Sequence, residues 1–316
     1  MNEISARVAP GPRTSPGVGT GSGGGTGSGS GSGTDAKAVP APTPSVGMAD
    51  PLRRNARAIR MLWHREVVRF GRNRVQIGMA LVTPLMFLLV LGTGLQATQS
   101  GSDAGFDSYR AYLFPGTLVM ATQAPAIAVG ISVVWDRQAG FLRQALVAPV
   151  RRESLLLGLG LGGATSGALY GGMVLLIAGL VGIPYHPLLL VALLEVALVA
   201  LAFTSIGMLA AVCIRRIEVF QVVVSLCLMP LMFFSGAMFP VGGLPGWLGV
   251  AVLLNPLTYA IDAIRRTLPG DVHMGGYADG PAIFGWTPPV IVELGFVALL
   301  AVTALAVAAR RFSRGE

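Results

Sequence analysis

The chain has 316 residues, 53% hydrophobic and only 12% charged, about half the ~25% charged content of soluble domains. That balance, with a mean hydropathy of +0.67, excludes a soluble globule, and two cysteines cannot build a disulfide framework. The net charge of +8 would suit nucleic acid, but the basic residues sit between long apolar runs, where membrane topology accounts for them. The expectation is an all-α integral membrane protein with no nucleic-acid partner.

Residues 1–49 read as a low-complexity leader. The stretch from Gly11 to Gly33 is almost entirely Gly, Ser, Thr and Pro, with too little apolar surface to offset the entropy of ordering, so disorder is expected there. It lacks the apolar core of a secretory signal. Its glycines do not form a phosphate-binding loop, which needs Gly-Lys-Ser/Thr opening a helix; the only lysine, Lys37, lies between Ala36 and Ala38. The membrane domain is expected over residues 50–316.

Asp50 and Pro51 read as an N-cap and first-turn proline, opening a helix to about Arg72. At 100° per residue Leu52, Ala56, Ile59, Trp63, Val67 and Phe70 fall within an arc of roughly 80°. Arg53, Arg54, Arg57, Arg65, Arg69 and Arg72 lie largely outside it. Trp63 and Phe70 opposed by Arg57 and Arg69 suit a helix in the headgroup layer; the alternative is a helix packed on a soluble partner.

Six apolar runs follow, at about 75–95, 112–134, 155–183, 188–212, 219–240 and 290–310, each near or above the ~20 residues that cross ~30 Å of hydrocarbon. Of the basic residues beyond the leader, seventeen fall before the first span, in the 135–154 loop, at Arg215–Arg216 and in the tail, against three in the other loops. Basic loops stay in the cytoplasm, so both termini are expected there, in a multi-pass protein of the plasma or inner membrane. Pro84, Pro125 and Pro230 should kink their spans. In the third span Gly163, Gly167 and Gly171 recur at spacing four, beside Gly160, Ala164, Ala168 and Gly172. Small residues so placed allow close helix approach, within the subunit or across a dimer.

Chemistry is sparse. His64, His186 and His273 have no carboxylate or second histidine at ligand spacing, so no metal site is expected. No His-Glu-x-x-His or Gly-x-Ser-x-Gly run occurs, and the chain is not expected to be an enzyme. Glu195 is the one acid well inside an apolar run, ~10 Å from the outer end of its span, at a cost of about 3 kcal/mol if unpaired. It is either a polar contact in a substrate path or proton-coupled step, or a hydrogen-bonded glutamate that helps helices associate. Glu293, close to the outer end of the last span, is expected to reach the interface. A proton-driven carrier would call for paired acids or internal repeats, and neither is visible in the sequence.

Two segments are more informative. In the loop from Trp135 to Arg152, Asp136 is expected to cap a short helix whose apolar face is Phe141, Leu142, Ala145 and Leu146, ended by Pro149. An amphipathic helix held between two spans is shaped to be gripped by another protein. After the fifth span come Phe234-Ser235-Gly236-Ala237-Met238-Phe239-Pro240, then Leu244-Pro245-Gly246-Trp247-Leu248, then Asn255-Pro256-Leu257-Thr258-Tyr259. Pro and Gly break this apolar stretch into pieces of about 7–14 residues, too short to span and re-entrant or interfacial in character.

In this order within six spans, the Asp-Arg-x-x-Gly-Phe-Leu…Ala-Pro-Val loop and the Ser-Gly…Phe-Pro…Leu-Pro…Asn-Pro-Leu-Thr-Tyr stretch resemble the permease subunit of type 2 ABC exporters, especially its daunorubicin-resistance-like branch. The resemblance covers about residues 52–314; Gln138 and Gln144 stand where family members often carry glutamate. It implies a coupling helix over 136–149, with Asp136, Arg137, Gly140, Phe141, Leu142, Leu146 and Pro149 meeting the ATPase. It implies a membrane-surface connector over 52–72 and paired outer half-helices over 241–266, around Pro240, Pro245, Trp247, Asn255, Pro256 and Tyr259, closing the pore. It further implies a half-permease without a cofactor of its own. A second permease copy would complete the pathway, and two cytoplasmic ATPase subunits would hold ATP and Mg. The few charges in the spans suit an amphipathic drug, secondary metabolite or lipid. A polysaccharide or other envelope glycoconjugate is an alternative cargo, and a non-transporting membrane scaffold or sensor is an alternative of another class.

Overall fold

An apolar run in hydrocarbon can satisfy its backbone internally only as a helix or a closed barrel; here the regular elements are helices. The computed structural model describes residues 51–72, 74–98, 106–138, 152–238, 245–269 and 286–314. In chain order the helices are α1 (Pro51–Arg72), α2 (Arg74–Thr98), α3 (Phe106–Gln138), α4 (Arg152–Leu175), α5 (Leu188–Cys213), α6 (Ile217–Phe233), α7 (Gly246–Leu254), α8 (Pro256–Thr267) and α9 (Val290–Arg314).

Among the described residues, α2, α3, α5 and α9 are long and apolar enough to cross a membrane, and α7 with α8, bent by 77° at their junction, makes a fifth if counted as one broken span. This differs from six uniform crossings for two physical reasons. Helix α4 has 24 residues but is diluted by glycine, and α6 has 17, ~25 Å of rise against ~30 Å of hydrocarbon. Apolar composition also carries past the points where the helices stop. The run expected to reach Pro240 ends as helix at Phe233, ahead of a turn with Gly236 at φ 70; the one expected to reach Ile183 ends at Leu175, and Gly182 at φ 84 closes the short 3-10 turn that follows. Both glycines occupy the left-handed region that L side chains avoid.

Helix α3 is the core: it is buried over most of its length, whereas α2 and α9 expose most of theirs. Leu113, Phe114, Leu118 and Val119 are fully enclosed. The buried hydroxyls of Thr117, Thr122, Ser132, Thr204 and Ser205 donate to carbonyls three or four residues back in their own helices, so they cost no unmade hydrogen bond.

The glycines of α4 serve packing within this subunit, on two faces. A Cβ at Gly163 would lie 2.5 Å from Thr204 and 2.9 Å from Val129, one at Gly167 2.6 Å from Ala200, and one at Gly171 2.4 Å from Val196; this line receives α3 and α5. On the other face a Cβ at Gly158 would lie 3.0 Å from Leu62, and one at Gly162 2.7 Å from Glu66. That face receives α1, and the contacts advance in step: Trp63 Nε1 donates to Thr165 Oγ1 at 2.9 Å, and Phe70 meets Tyr170 edge-on at 5.0 Å. Helix α1 therefore runs beside α4 for roughly 16 Å. Of the stripe expected in the headgroup layer, Ile59, Trp63 and Phe70 meet α4, whose glycines leave room for them, and Trp63 stays 37% exposed.

The tightest crossing joins α3 to α5. A Cβ at Gly130 would lie 2.6 Å from the Gly207 carbonyl oxygen, a backbone atom that no rotamer change can clear. Gly130→Ala is expected to destabilise the bundle by about 1–3 kcal/mol. Gly78→Ala, with nothing within 4 Å, should be neutral or slightly stabilising. Denaturant titration of the purified variants in mixed micelles checks both.

Candidate functional site

Two polar clusters lie toward opposite ends of the bundle, separated along α3 by the ~36 Å between Tyr112 and Asp136.

At the first, α3 continues as helix through Gln138. Asp136 and Arg137 thus sit in its last turn, and Asp136 does not cap a new helix as expected; no helix-breaking residue intervenes before Gly140. Arg65 of α1 pairs with Glu66 at 3.1 Å and with Asp136 at 3.5 Å. Arg137 Nη1 donates to the Val212 carbonyl at 3.2 Å, and Gln138 Nε2 to the Arg215 carbonyl at 3.0 Å. Val212 lies in the last turn of α5, where carbonyls lack intrahelical donors and a cation complements the dipole. The amide at Gln138 supplies a donor that a glutamate would not. The last turn of α3 is so fastened to α1 on one side and to the α5–α6 turn on the other. Gly140, Phe141, Leu142, Leu146 and Pro149 lie outside the described residues. Arg57 is exposed on α1, and Arg69 approaches Glu66 at 3.8 Å.

At the opposite end, the motif residues build a corner. Asn255 caps α8: its Oδ1 accepts from the Leu257 N–H at 3.0 Å while its Nδ2 donates to the Leu231 carbonyl at 2.6 Å. Pro256 fills the first position of the helix, where a missing N–H costs nothing. Thr258 Oγ1 donates to the Val252 carbonyl at 2.8 Å and Tyr259 Oη to the Leu253 carbonyl at 2.8 Å, closing carbonyls that end α7. Within the stretch 241–266, where outer half-helices are expected, the structure has two short helices, α7 and α8, bent by 77° at their junction. Pro245 and Trp247 stand exposed at the start of α7, and Pro240 lies outside the described residues. The Ser-Gly turn after α6 is held from α3 and α8 together. Tyr112 Oη donates to the Gly236 carbonyl at 3.0 Å, Arg265 Nη2 to the same oxygen at 3.1 Å, and Tyr109 Oη to the Met238 carbonyl at 2.9 Å. The Arg265 guanidinium lies 4.1 Å above the Tyr112 ring, a favourable cation–π placement.

Helix α8 is buried from Leu257 to Arg265 and carries charge inward. Thr267 Oγ1 donates to Glu195 Oε1 at 2.7 Å. Arg266 pairs with Asp262 and, at 3.7 Å, with Glu293, and donates to the Pro288 carbonyl at 2.8 Å. Glu293 does not reach an interface as expected: it is 1% exposed, because α8 lies against α9 there. The acids of α5, α8 and α9 thus gather around one seam, although no pairing is visible along the sequence. The sequence signal for Asp262, Arg265 and Arg266 is three charges within an otherwise apolar stretch, where each must find a partner.

The sequence pattern of the ABC-2 type transporter family matches residues 57–268. The chain is 28% identical over 209 residues to a protein named putative transport permease ycf38 from Cyanophora paradoxa, spanning 65% of this chain and 72% of that one. It is 32% identical over 192 residues to nodulation protein J of Rhizobium leguminosarum bv. trifolii (60% and 72%). It is 28% identical over 213 residues to the inner membrane transport permease YadH of Escherichia coli K12 (66% and 81%). Permeases of this kind are transport subunits that work with ABC ATPases. The chain belongs to the ABC-2 type transporter family, as a multi-pass membrane permease.

Proposed function

We propose that this chain is the membrane half of an ATP-driven exporter of the daunorubicin-resistance-like type. It moves an amphipathic drug, secondary metabolite or lipid out of the cytoplasm, and two copies work with two ATPase subunits that hold ATP and Mg. The observation that carries this reading is the fastening of α3's last turn, through Asp136, Arg137 and Gln138, to α1 and the α5–α6 turn. Force applied to the segment that follows Gln138 is delivered to three elements at once, which suits rigid units switching between inward and outward access.

In this reading helices α4 and α6 complete six crossings, with α7–α8 as a re-entrant pair on the outer side and both termini in the cytoplasm, which the arginine distribution supports. Glu195, bound to Thr267, ties α5 to that pair. Helix α6 supports a second copy. An open groove of about 730 Å³ runs along Val222, Leu226, Met229 and Phe233 and includes Gln221 and Ser225. Polar side chains on a face that no other helix among the described residues covers suit helix–helix contact better than lipid.

Phe141 and Leu142 are the anchors of the ATPase contact. Replacing both with Ala is expected to abolish pull-down of the ATPase from solubilised membranes and to lower substrate-stimulated ATP hydrolysis at least tenfold, equivalent to a loss of ~1.4 kcal/mol, while membrane insertion stays intact. Unchanged pull-down would overturn the assignment.

A further inference from the structure

The face of α1 that turns away from α4 forms one wall of a groove whose other wall is α3. The cavity holds about 650 Å³ and is lined by His64, Arg65, Arg69, Arg72, Ser132 and Asp136. On α1 these positions, with Val68, recur at intervals of three and four, so they share one side of the helix. The charges do not balance. Arg65 engages both nearby acids, Glu66 and Asp136, Arg69 reaches Glu66 only at 3.8 Å, and among the described residues Arg72 has no carboxylate partner within salt-bridge distance. Three guanidiniums thus face two carboxylates. Ser132 and Asp136 lie in the last two turns of α3, where its apolar stretch gives way. Val68, 41% exposed, adds an apolar surface beside the arginines.

We propose that this groove binds the phosphodiester headgroup of an anionic phospholipid, with Arg69 and Arg72 as its ligands. A guanidinium matches two phosphate oxygens at once, and basic pockets between membrane helices bind anionic lipid headgroups. Val68, exposed beside the arginines where an acyl chain can meet it, favours a lipid over a soluble anion. The bound phosphate completes the charge balance between α1 and α3 beside Asp136, the residue that leads into the coupling segment. This goes beyond the transport reading and does not depend on it, since it requires only that the bundle sit in a bilayer.

The test uses the full chain, purified in detergent and titrated with phosphatidylglycerol or phosphatidylcholine while bound lipid is counted by native mass spectrometry. Wild type is expected to prefer phosphatidylglycerol. A basic side chain at an anionic surface contributes about 1 kcal/mol, so Arg69→Gln with Arg72→Gln should weaken phosphatidylglycerol roughly thirty-fold and leave phosphatidylcholine unchanged. Arg53→Gln with Arg57→Gln, outside the groove, should keep the preference. Arg72→Gln alone disturbs no ion pair among the described residues and should give roughly a fivefold loss, which keeps the test decisive if the double variant misfolds. Equal retention of the two lipids by wild type, an equal loss in the Arg53/Arg57 control, or displacement of phosphatidylglycerol by millimolar inorganic phosphate would each overturn the proposal.

Discussion

Replacing Arg266 with alanine is expected to destabilise the protein by about 2–4 kcal/mol, because it removes a half-buried cation and leaves two buried acids behind. Arg266 pairs with Asp262 on its own helix and Glu293 on α9, and donates to the Pro288 carbonyl. Glu195 of α5, held by Thr267, borders the same seam. Without the guanidinium, the buried Asp262 and Glu293 are left as like charges in one seam. Arg266→Lys should fall between wild type and Arg266→Ala, since an ammonium on a flexible stem is a point charge and not a fork reaching several acceptors. The second half of the prediction separates electrostatics from packing. In Arg266→Ala with Glu293→Gln, one orphaned charge is gone, and about 1–3 kcal/mol of the loss should return as coupling between the two sites. Denaturant titration in mixed micelles measures all four proteins. An Arg266→Ala variant as stable as wild type, or a double variant no better than the single one, would show that the seam is not held by charge.

The elements along the chain were legible because a run of apolar residues has few options in hydrocarbon, and the broken stretch from Phe234 to Tyr259 announced its corner through Asn255 and Pro256, residues whose local chemistry starts helices. Helix ends were not legible: Val75, Leu155 and Val219 begin runs whose hydropathy says nothing about where a Gly236 or Gly182 takes positive φ. The same holds for partners. Trp63 and Phe70 form an apolar stripe on any helical wheel, and whether that stripe meets lipid or the glycines of α4 depends on a neighbour nearly a hundred residues away. Long-range polar pairing was the least visible. Glu195, Asp262 and Glu293 each look solitary in sequence, and Asp136 resembles an N-cap because Asp often is one; only packing shows that α3 continues past it and that Arg65 and the α5–α6 turn receive its end. Sequence spacing reports what one helix can do, and the charges here act between helices.

Asn255→Ala is expected to disable export while leaving the ATPase contact intact. The side chain performs two tasks that alanine drops: it caps α8 through the Leu257 N–H and satisfies the Leu231 carbonyl near the end of α6. Loss of a cap costs about 1 kcal/mol, and an unmet buried carbonyl adds about 1–3 kcal/mol, so the corner loses roughly 2–4 kcal/mol in total. Asn255→Asp isolates the second task, since a carboxylate still caps the helix but cannot donate to Leu231; a buried charge facing a carbonyl should make it at least as damaging as alanine. Because Thr258 and Tyr259 still hold the α7 carbonyls of Val252 and Leu253, the pair should loosen against α6 without unfolding. Trp247, 73% exposed on α7, offers the readout: a single cysteine placed there should react with a membrane-impermeant maleimide at a changed rate in Asn255→Ala, and cells carrying the variant should retain cargo while the ATPase still co-purifies. Unaltered labelling together with wild-type export would mean that the bend between α7 and α8 is set by Pro256 and packing alone, with Asn255 only an accessory to it.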